Sequence, residues 1–460
     1  MSTREDGAES PLIKGRADLI DWIAAGEKPK HAWRIGTEHE KFVFRTISLD
    51  PVSYDGPRGI RALMEQLIAR YGWLPIHEGD NIIALKRPDG EQGGTISLEP
   101  GGQFELSGAP VETLHETAAE TYKHLYEVLD VGEDLGIGFL GVGFSPKWRL
   151  DQVPKMPKQR YGVMTRYMPQ VGSRGLDMMY RTATVQVNLD FGNEADMVQK
   201  LRVSLALQPI ATALFASSPF TEGEPNGYQS MRSEVWRDTD KRRTGMLPFV
   251  FEDGMGYASY VDYALDVPMY FVYRAGRYID VAGSSFRDFL AGKLRGLEGV
   301  FPTIDDWSDH MTTLFPEVRL KRFLEMRGAD GGRWSIITAL PAFWTGLLYD
   351  QEALDGAWDL VRDWTDDERE TLRNGVPVGG IRTPFRKTTV NELAKEALRL
   401  SRLGLKNRNR LNAKGQDETI YMAPLESIVR AGRTVSDELL DRYRTTWHGD
   451  INHIFEEFAF

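Results

Sequence analysis

Glutamates recur at strand spacing in three separate parts of this chain. Glu38 and Glu40 stand in Gly36-Thr-Glu-His-Glu-Lys-Phe-Val-Phe44. Glu99 and Glu105 flank a Pro-Gly-Gly turn in Ile96-Ser-Leu-Glu-Pro-Gly-Gly-Gln-Phe-Glu-Leu106. Glu325 precedes Arg327 in Leu320-Lys-Arg-Phe-Leu-Glu-Met-Arg-Gly328. Side chains two residues apart on a strand point the same way. Such strands laid side by side make one sheet face lined with carboxylates and an arginine, a poor surface for a core. It suits Mg²⁺, a hard cation that takes oxygen ligands and often shares them with a nucleotide's phosphates. Clustered carboxylates repel one another and call for a cation. A guanidinium such as that of Arg327 matches phosphate with two parallel hydrogen bonds. Each segment alone also reads as an exposed edge strand with solvated acids or cross-strand ion pairs. The recurrence favours a site, with Glu38, Glu40, Glu99, Glu105 and Glu325 as metal-binding acids.

The elements that would position these groups follow from periodicity. Thr182 to Phe191 is the clearest strand: Thr184, Gln186, Asn188 and Asp190 alternate with Ala183, Val185, Val187, Leu189 and Phe191. A three-residue loop after Glu99 sets Glu99 opposite Gln103, with Glu105 two residues further on the same face; a two-residue loop spoils this. Residues 317–327 read as one edge strand with Glu317, Arg319, Lys321, Glu325 and Arg327 on its polar face. His39 falls on the face opposite the two acids and reads as structural. Helices are predicted over 58–71, 113–135 and 194–217, the last bent at Pro209, and further on over 351–374, 388–403, 415–431 and 434–447. Strands concentrate before about residue 345 and helices after 350. Grouping rather than strict alternation predicts an α+β fold, with the helical tail packed around the same sheet as one catalytic domain.

Residues 221–246 read as a long loop carrying Arg232, Trp236, Arg237, Lys241, Arg242 and Arg243, either a lid that holds an anionic substrate or a surface loop with solvated charges. Gly136-Ile-Gly-Phe-Leu-Gly141 matches a dinucleotide pattern literally but follows a helix rather than a strand, so it reads as a helix stop running into a strand. No P-loop sequence is present, and Lys406 to Arg410 reads as a solvated linker.

Composition narrows the classes. The 460 residues carry 56 Lys and Arg against 67 Asp and Glu, a net charge of −11, which argues against wholesale binding to nucleic acid or an anionic membrane. No apolar run reaches the length of a membrane span. There are no cysteines, so disulfides, thiol nucleophiles and cysteine-ligated metals are excluded, and a homodimer has to be held non-covalently. The first ten residues are acidic and polar, unlike a signal or transit peptide, and a cytoplasmic protein is expected.

Taken together, Gly36-Thr-Glu-His-Glu-Lys41, Leu98-Glu-Pro-Gly-Gly-Gln-Phe-Glu-Leu-Ser107, Tyr180-Arg-Thr-Ala-Thr-Val-Gln-Val-Asn-Leu-Asp-Phe191, Ser230-Met-Arg-Ser-Glu-Val-Trp-Arg237 and Leu320 to Asp330 resemble the plant-type glutamate–cysteine ligases, in their proteobacterial branch. The resemblance runs from about residue 30 to the C-terminus. It implies a glutamine-synthetase-like fold, a curved, mainly antiparallel sheet whose concave face holds the active site, wrapped by helices. It implies ATP and Mg²⁺ and the joining of the L-glutamate side-chain carboxylate to the amine of L-cysteine. By motif the five glutamates fall on the family's metal-binding acids, and Gln186 and Asn188 on a strand giving amide ligands or nucleotide contacts. Arg327 falls on a phosphate-facing arginine. Arg232 and Trp236 fall around the glutamate, and Arg160 and Tyr270 near glutamate and cysteine. Ala183 stands where the plant pattern has a cysteine. Another carboxylate–amine ligase or a guanidino kinase of the same fold, or a non-catalytic metal and anion binder, stays open on the residues alone.

Overall fold

The computed structural model describes residues 10–88 and 93–460; the first nine residues of the polar N-terminal stretch lie outside them. Nine strands form one open sheet: β1 (Ile35–Arg45), β2 (Leu74–Glu78), β3 (Asn81–Lys86), β4 (Thr95–Leu98), β5 (Phe104–Ser107), β6 (Ile137–Leu140), β7 (Thr184–Leu189), β8 (Val318–Leu320) and β9 (Leu324–Asp330). The order is β8-β9-β7-β1-β5-β4-β3-β2, with β6 paired to the far end of β1. Every pairing in it is antiparallel. The fold is α+β with a mainly antiparallel sheet, as expected.

One face of the central strands is apolar: Val185, Val187 and Leu189 are fully buried. Two helices without a polar stripe cover it, Glu194–Leu214 and Trp334–Leu348, whose inner turns are buried almost all round. Pro209 and Pro341 sit inside them. The largest apolar core runs from Ile13 through these helices to Val429, so the helical last quarter packs on the same core as the sheet. His39 lies in this apolar layer, buried, with Lys41 Nζ 3.1 Å from its Nδ1. The Leu114–Leu135 helix is bounded as its sequence suggests. Thr113 and Glu116 cap each other's backbone N–H at its start, and Gly136 takes a left-handed conformation at its end, leading directly into β6.

Several boundaries depart from the sequence reading. Residues 317–327 are not one strand but a hairpin, β8 and β9, turning at 321–323 where Lys321 N–H donates to the Phe323 carbonyl at 2.9 Å. The turn brings Arg319 directly opposite Glu325, so an ion pair crosses the hairpin. The predicted helix over 351–374 is two helices, Gln351–Val361 and Asp366–Gly379, because Thr365 caps the second in a reciprocal box with Glu368. The 221–246 loop contains the short helix Met231–Trp236. Lys406 to Arg408 are the last turn of the Val390–Arg408 helix rather than linker, and Arg408 pairs with the buried Glu418 at 3.0 Å. Among the described residues no helix is long and apolar enough to cross a membrane.

Candidate active site

Residues directly opposed in an antiparallel pair share a face, and the register therefore lays out the site in rungs. Glu40 opposes Glu105, which opposes Ser97. Glu38 stands between Gln186 and Ser107. Asn188 opposes Glu325, which opposes Arg319. The Glu99 turn follows the three-residue geometry: Glu99 N–H donates to the Gln103 carbonyl at 3.0 Å and Gly102 N–H to the Glu99 carbonyl at 2.9 Å. All four acids of the β1 and β4–β5 segments consequently line one cavity. Gln103, Thr184, Gln186, Arg160, Arg232, Trp236, Arg319, Lys321 and Arg327 line it as well.

The two flanks of this cavity differ in charge. On the acid flank, Glu105 Oε2 accepts from Ser97 Oγ at 2.5 Å, Glu40 Oε2 from Thr184 N–H at 3.0 Å and Glu38 Oε1 from Asn188 Nδ2 at 2.8 Å. Burial, then the neighbouring Glu105 charge, pushes Glu40 up to about 8, with Arg232 working against them. Burial and the charges of Glu105 and Glu40 push Glu99 well above the usual carboxylate range. Glu38 is raised as well, chiefly by burial, with Glu325 and Glu105 adding to it. On the other flank, burial acts to raise Glu325, but Arg319, Lys321 and Arg327 overcome it and hold the carboxyl well below its ordinary value. Arg319 Nη2 reaches its two oxygens at 2.7 and 2.9 Å, Lys321 Nζ lies 2.9 Å away, and Arg327 Nη1 bonds the same group.

Glu325 is therefore placed as the counter-ion of a cation cluster. Both its oxygens are taken by nitrogen donors, and it does not stand open as the metal ligand expected from the sequence. The remaining oxygens do fit a hard divalent cation. Glu99 Oε1 and Asn188 Oδ1 are buried acceptors without a hydrogen-bond partner, and unsatisfied buried acceptors are costly unless something fills them. Among the described residues no three acids or imidazoles stand close enough to hold a metal by themselves. Phosphate or water oxygens would have to complete the shell, as is usual for Mg²⁺.

Arg327 owes its position to a β-bulge. Met326 opposes Val187 and Ala329 opposes Val185, so Arg327 and Gly328 together face Gln186. Arg327 Nη1 donates to Gln186 Oε1 at 2.6 Å. A Cβ at Gly328 would lie 2.5 Å from Gln208 Nε2, so the Gln208 side chain would have to move aside. Arg232 Nη2 donates to the Arg327 carbonyl at 2.8 Å, while Arg232 Nε, Trp236 Nε1 and Arg160 Nε are buried donors that no acceptor satisfies.

Tyr270 is not brought to this cavity. It is buried under the Arg243 guanidinium, 3.8 Å above its ring, and its hydroxyl lies against Met168 Sδ at 3.5 Å. The structure adds residues that the sequence reading left out. Lys158 Nζ and Tyr161 Oη both donate to the Leu98 carbonyl, at 2.9 and 2.7 Å, and so brace the Glu99 turn. Arg319 and Lys321 were visible as polar-face residues of the 317–327 segment; Lys158 and Tyr161 had no pattern to betray them.

Comparison with known proteins gives the chain a family and its fold a relative. Residues 34–457 match the model of glutamate–cysteine ligase family 2 (GCS2). The chain is 57% identical over 453 residues to the chloroplastic glutamate–cysteine ligase of Brassica juncea, covering 98% of this chain and 85% of the relative. It is 56% identical over 453 residues to that of Arabidopsis thaliana, covering 98% and 84%. Among solved structures, glutamate–cysteine ligase from Francisella tularensis in complex with AMP shares the fold, with a TM-score of 0.54 at 12% identity over 93% of this chain and 89% of that one. With a family match and relatives that span nearly its whole length, this chain belongs to the glutamate–cysteine ligase family 2.

Proposed function

We propose that this protein joins the side-chain carboxylate of L-glutamate to the amine of L-cysteine with ATP as the activating reagent, forming γ-glutamylcysteine, ADP and phosphate, the first step of glutathione biosynthesis. The observation that carries this reading is the single cavity in which four carboxylates face Arg319, Lys321, Arg327 and Arg232. A carboxylate is a poor acyl donor at neutral pH. Phosphorylated by ATP it becomes a mixed anhydride, from which the amine displaces phosphate. Transfer of the phosphoryl group asks the protein for positioning and charge compensation more than for covalent help.

Arg319, Lys321 and Arg327 are already desolvated and held by Glu325, so they offset negative charge on the transferring group without reorganising. The unsatisfied N–H groups of Arg232, Trp236 and Arg160 suit the carboxylates of an amino acid. Glu38, Glu40, Glu99, Glu105 and the Asn188 amide oxygen would supply oxygen ligands to Mg²⁺, which when bound would offset the negative charge of the phosphates of ATP.

The test is direct. The protein is incubated with ATP, MgCl₂, L-glutamate and a panel of amines including L-cysteine, and products are identified by mass spectrometry. The expected result is γ-glutamylcysteine in step with ADP and phosphate. AMP with pyrophosphate, or ADP without a cysteine-containing product, overturns the reading.

A further inference from the structure

Asp330 closes β9 and is fully buried, yet it does not line the cavity. Its carboxylate accepts three hydrogen bonds. Ser230 Oγ donates to Oδ1 at 2.7 Å; Ser218 Oγ and Ser217 N–H donate to Oδ2 at 2.6 and 2.9 Å. The backbone has been shaped to admit it: a Cβ at Gly143 would fall 2.3 Å from its Cγ.

Two of these donors, Ser230 and Ser218, lead to the Met231–Trp236 helix. Ser230 is its N-cap, and the oxygen that donates to Asp330 accepts from Ser233 N–H at 3.1 Å. Ser218 Oγ, bonded to the other oxygen, accepts from Arg232 N–H at 3.3 Å. A six-residue helix has no stability of its own, so its place is set by what holds its first turn. That turn presents Arg232, and the last residue is Trp236; Arg232 Nε and Trp236 Nε1 are, with Arg160 Nε, buried donors without partners at the cavity. Arg232 Nη2 is meanwhile fixed to the carbonyl of Arg327, three residues before Asp330 on the same strand.

We propose that Asp330, acting through Ser218 and Ser230, is a positioning residue that aims Arg232 and Trp236 at the amino-acid donor substrate and so sets its affinity without touching it. This rests on the reading above that Arg232 and Trp236 hold that substrate. Asp330 is buried away from the cavity lining, and its three donors all come from the protein. Its negative charge is the strongest one acting to keep the buried Arg232 guanidinium charged.

The experiment is steady-state kinetics of the full chain for D330N, S230A and R232A, and for the S230A/R232A double variant, with thermal unfolding of each. D330N and S230A are expected to raise the KM for L-glutamate on the order of ten-fold or more, since small misplacements of a positioning group cost that much. Their KM for ATP and their kcat should stay within about two-fold. The S230A/R232A protein should lose less affinity for L-glutamate than the two single effects combined, because S230A acts in part through Arg232 and only its share through Trp236 remains. S230A keeps the test alive if D330N does not fold. Should R232A raise the glutamate KM while S230A and a folded D330N leave it unchanged, the positioning role is wrong and the substrate reading stands. Should R232A leave the glutamate KM unchanged, both fall. A uniform loss of kcat and of affinity for all substrates, tracking loss of folded protein, marks Asp330 as structural only.

Discussion

Glu99 lines the cavity and Glu325 is paired with the lining residues Arg319, Lys321 and Arg327; both are buried carboxylates, yet they live in opposite electrical surroundings. Glu325 has Arg319, Lys321 and Arg327 on it and is held well below the ordinary carboxylate range. Glu99 has Glu105 and Glu40 as its strongest charged neighbours and is pushed well above that range. The protein completes the first arrangement from its own side chains. It leaves the second in want of positive charge from outside. The cavity is thus a pair of half-sites of opposite sign, the pattern that a substrate combining a divalent cation with transferable phosphate would satisfy at both ends.

The sharpest way to break this contrast is to neutralise the satisfied acid. Glu325→Gln leaves three buried cations without their shared partner, and removing one member of a buried ion cluster costs about 3–5 kcal/mol of stability. Chemical denaturation should show it as a lower midpoint, and turnover should also collapse because the cation cluster loses its shape. A Glu325→Gln protein as stable as the parent contradicts the counter-ion role.

The mirror substitutions fall on the needy side. On the proposed Mg²⁺-binding role, Glu38→Gln and Glu99→Gln should each lower turnover on the order of 10²-fold or more, with little loss of fold and with partial recovery at high Mg²⁺. Normal rates with unchanged Mg²⁺ dependence would return these acids to a structural role.

A smaller effect sharpens the comparison in the pH dimension. Glu40 sits at about 8 in the folded chain against an ordinary 4.5. The folded, metal-stripped protein therefore binds the extra proton between these values, and its stability falls as pH rises through that window. Glu40→Gln removes the strain. In EDTA it should be more stable than the parent at pH 8, on the order of 1–2 kcal/mol after discounting for relaxation, with the difference gone near pH 4.5. Glu325 has the opposite sign: its contribution is present above the unfolded value and is lost as pH falls through the depressed folded one. Across pH 4.5–8 thermal melts should show the Glu40→Gln advantage over the parent growing with pH while the Glu325→Gln deficit stays constant, and that deficit should shrink only below pH 4.5. Parallel curves would dissolve the contrast.

The smallest expected effect is none. With zero cysteines, neither flank nor any subunit contact can be closed by a disulfide. Protein treated with a thiol reductant or a disulfide-forming oxidant, then desalted, should keep its activity and size. A fast, thiol-reversible loss is the outcome that contradicts this.

The acid flank was legible in the sequence because its information is local. Glu38 and Glu40 alternate on one strand, and a Pro-Gly-Gly turn fixes Glu99 against Gln103. The alternation of Thr184 to Leu189 likewise announced a central strand. The cation flank was half legible. The polar alternation over 317–327 was visible, but the turn at 321–323 was not, since Lys321 and Phe323 carry no glycine or proline to signal it. Arg319 therefore looked like a solvated edge residue when it faces Glu325. The bulge at Arg327 and Gly328, the bracing of Leu98 by Lys158 and Tyr161 and the removal of Tyr270 beneath Arg243 depend on tertiary approach, which no periodicity records.

The strand order has a consequence for how the chain comes to life on the ribosome. β1 lies in the middle of the sheet, but its neighbour β7 is made long after it: Glu38 and Asn188, bonded to each other, are 150 residues apart in sequence. β9, which completes the rung through Asn188 and Glu325, arrives later still. Until it emerges, β1 and β7 expose apolar faces and unpaired edges, and the entropy of closing such long loops must be met before any of these contacts helps. The nascent chain therefore has a long interval in which its acid strand is synthesised but unprotected, when holdase chaperones matter most.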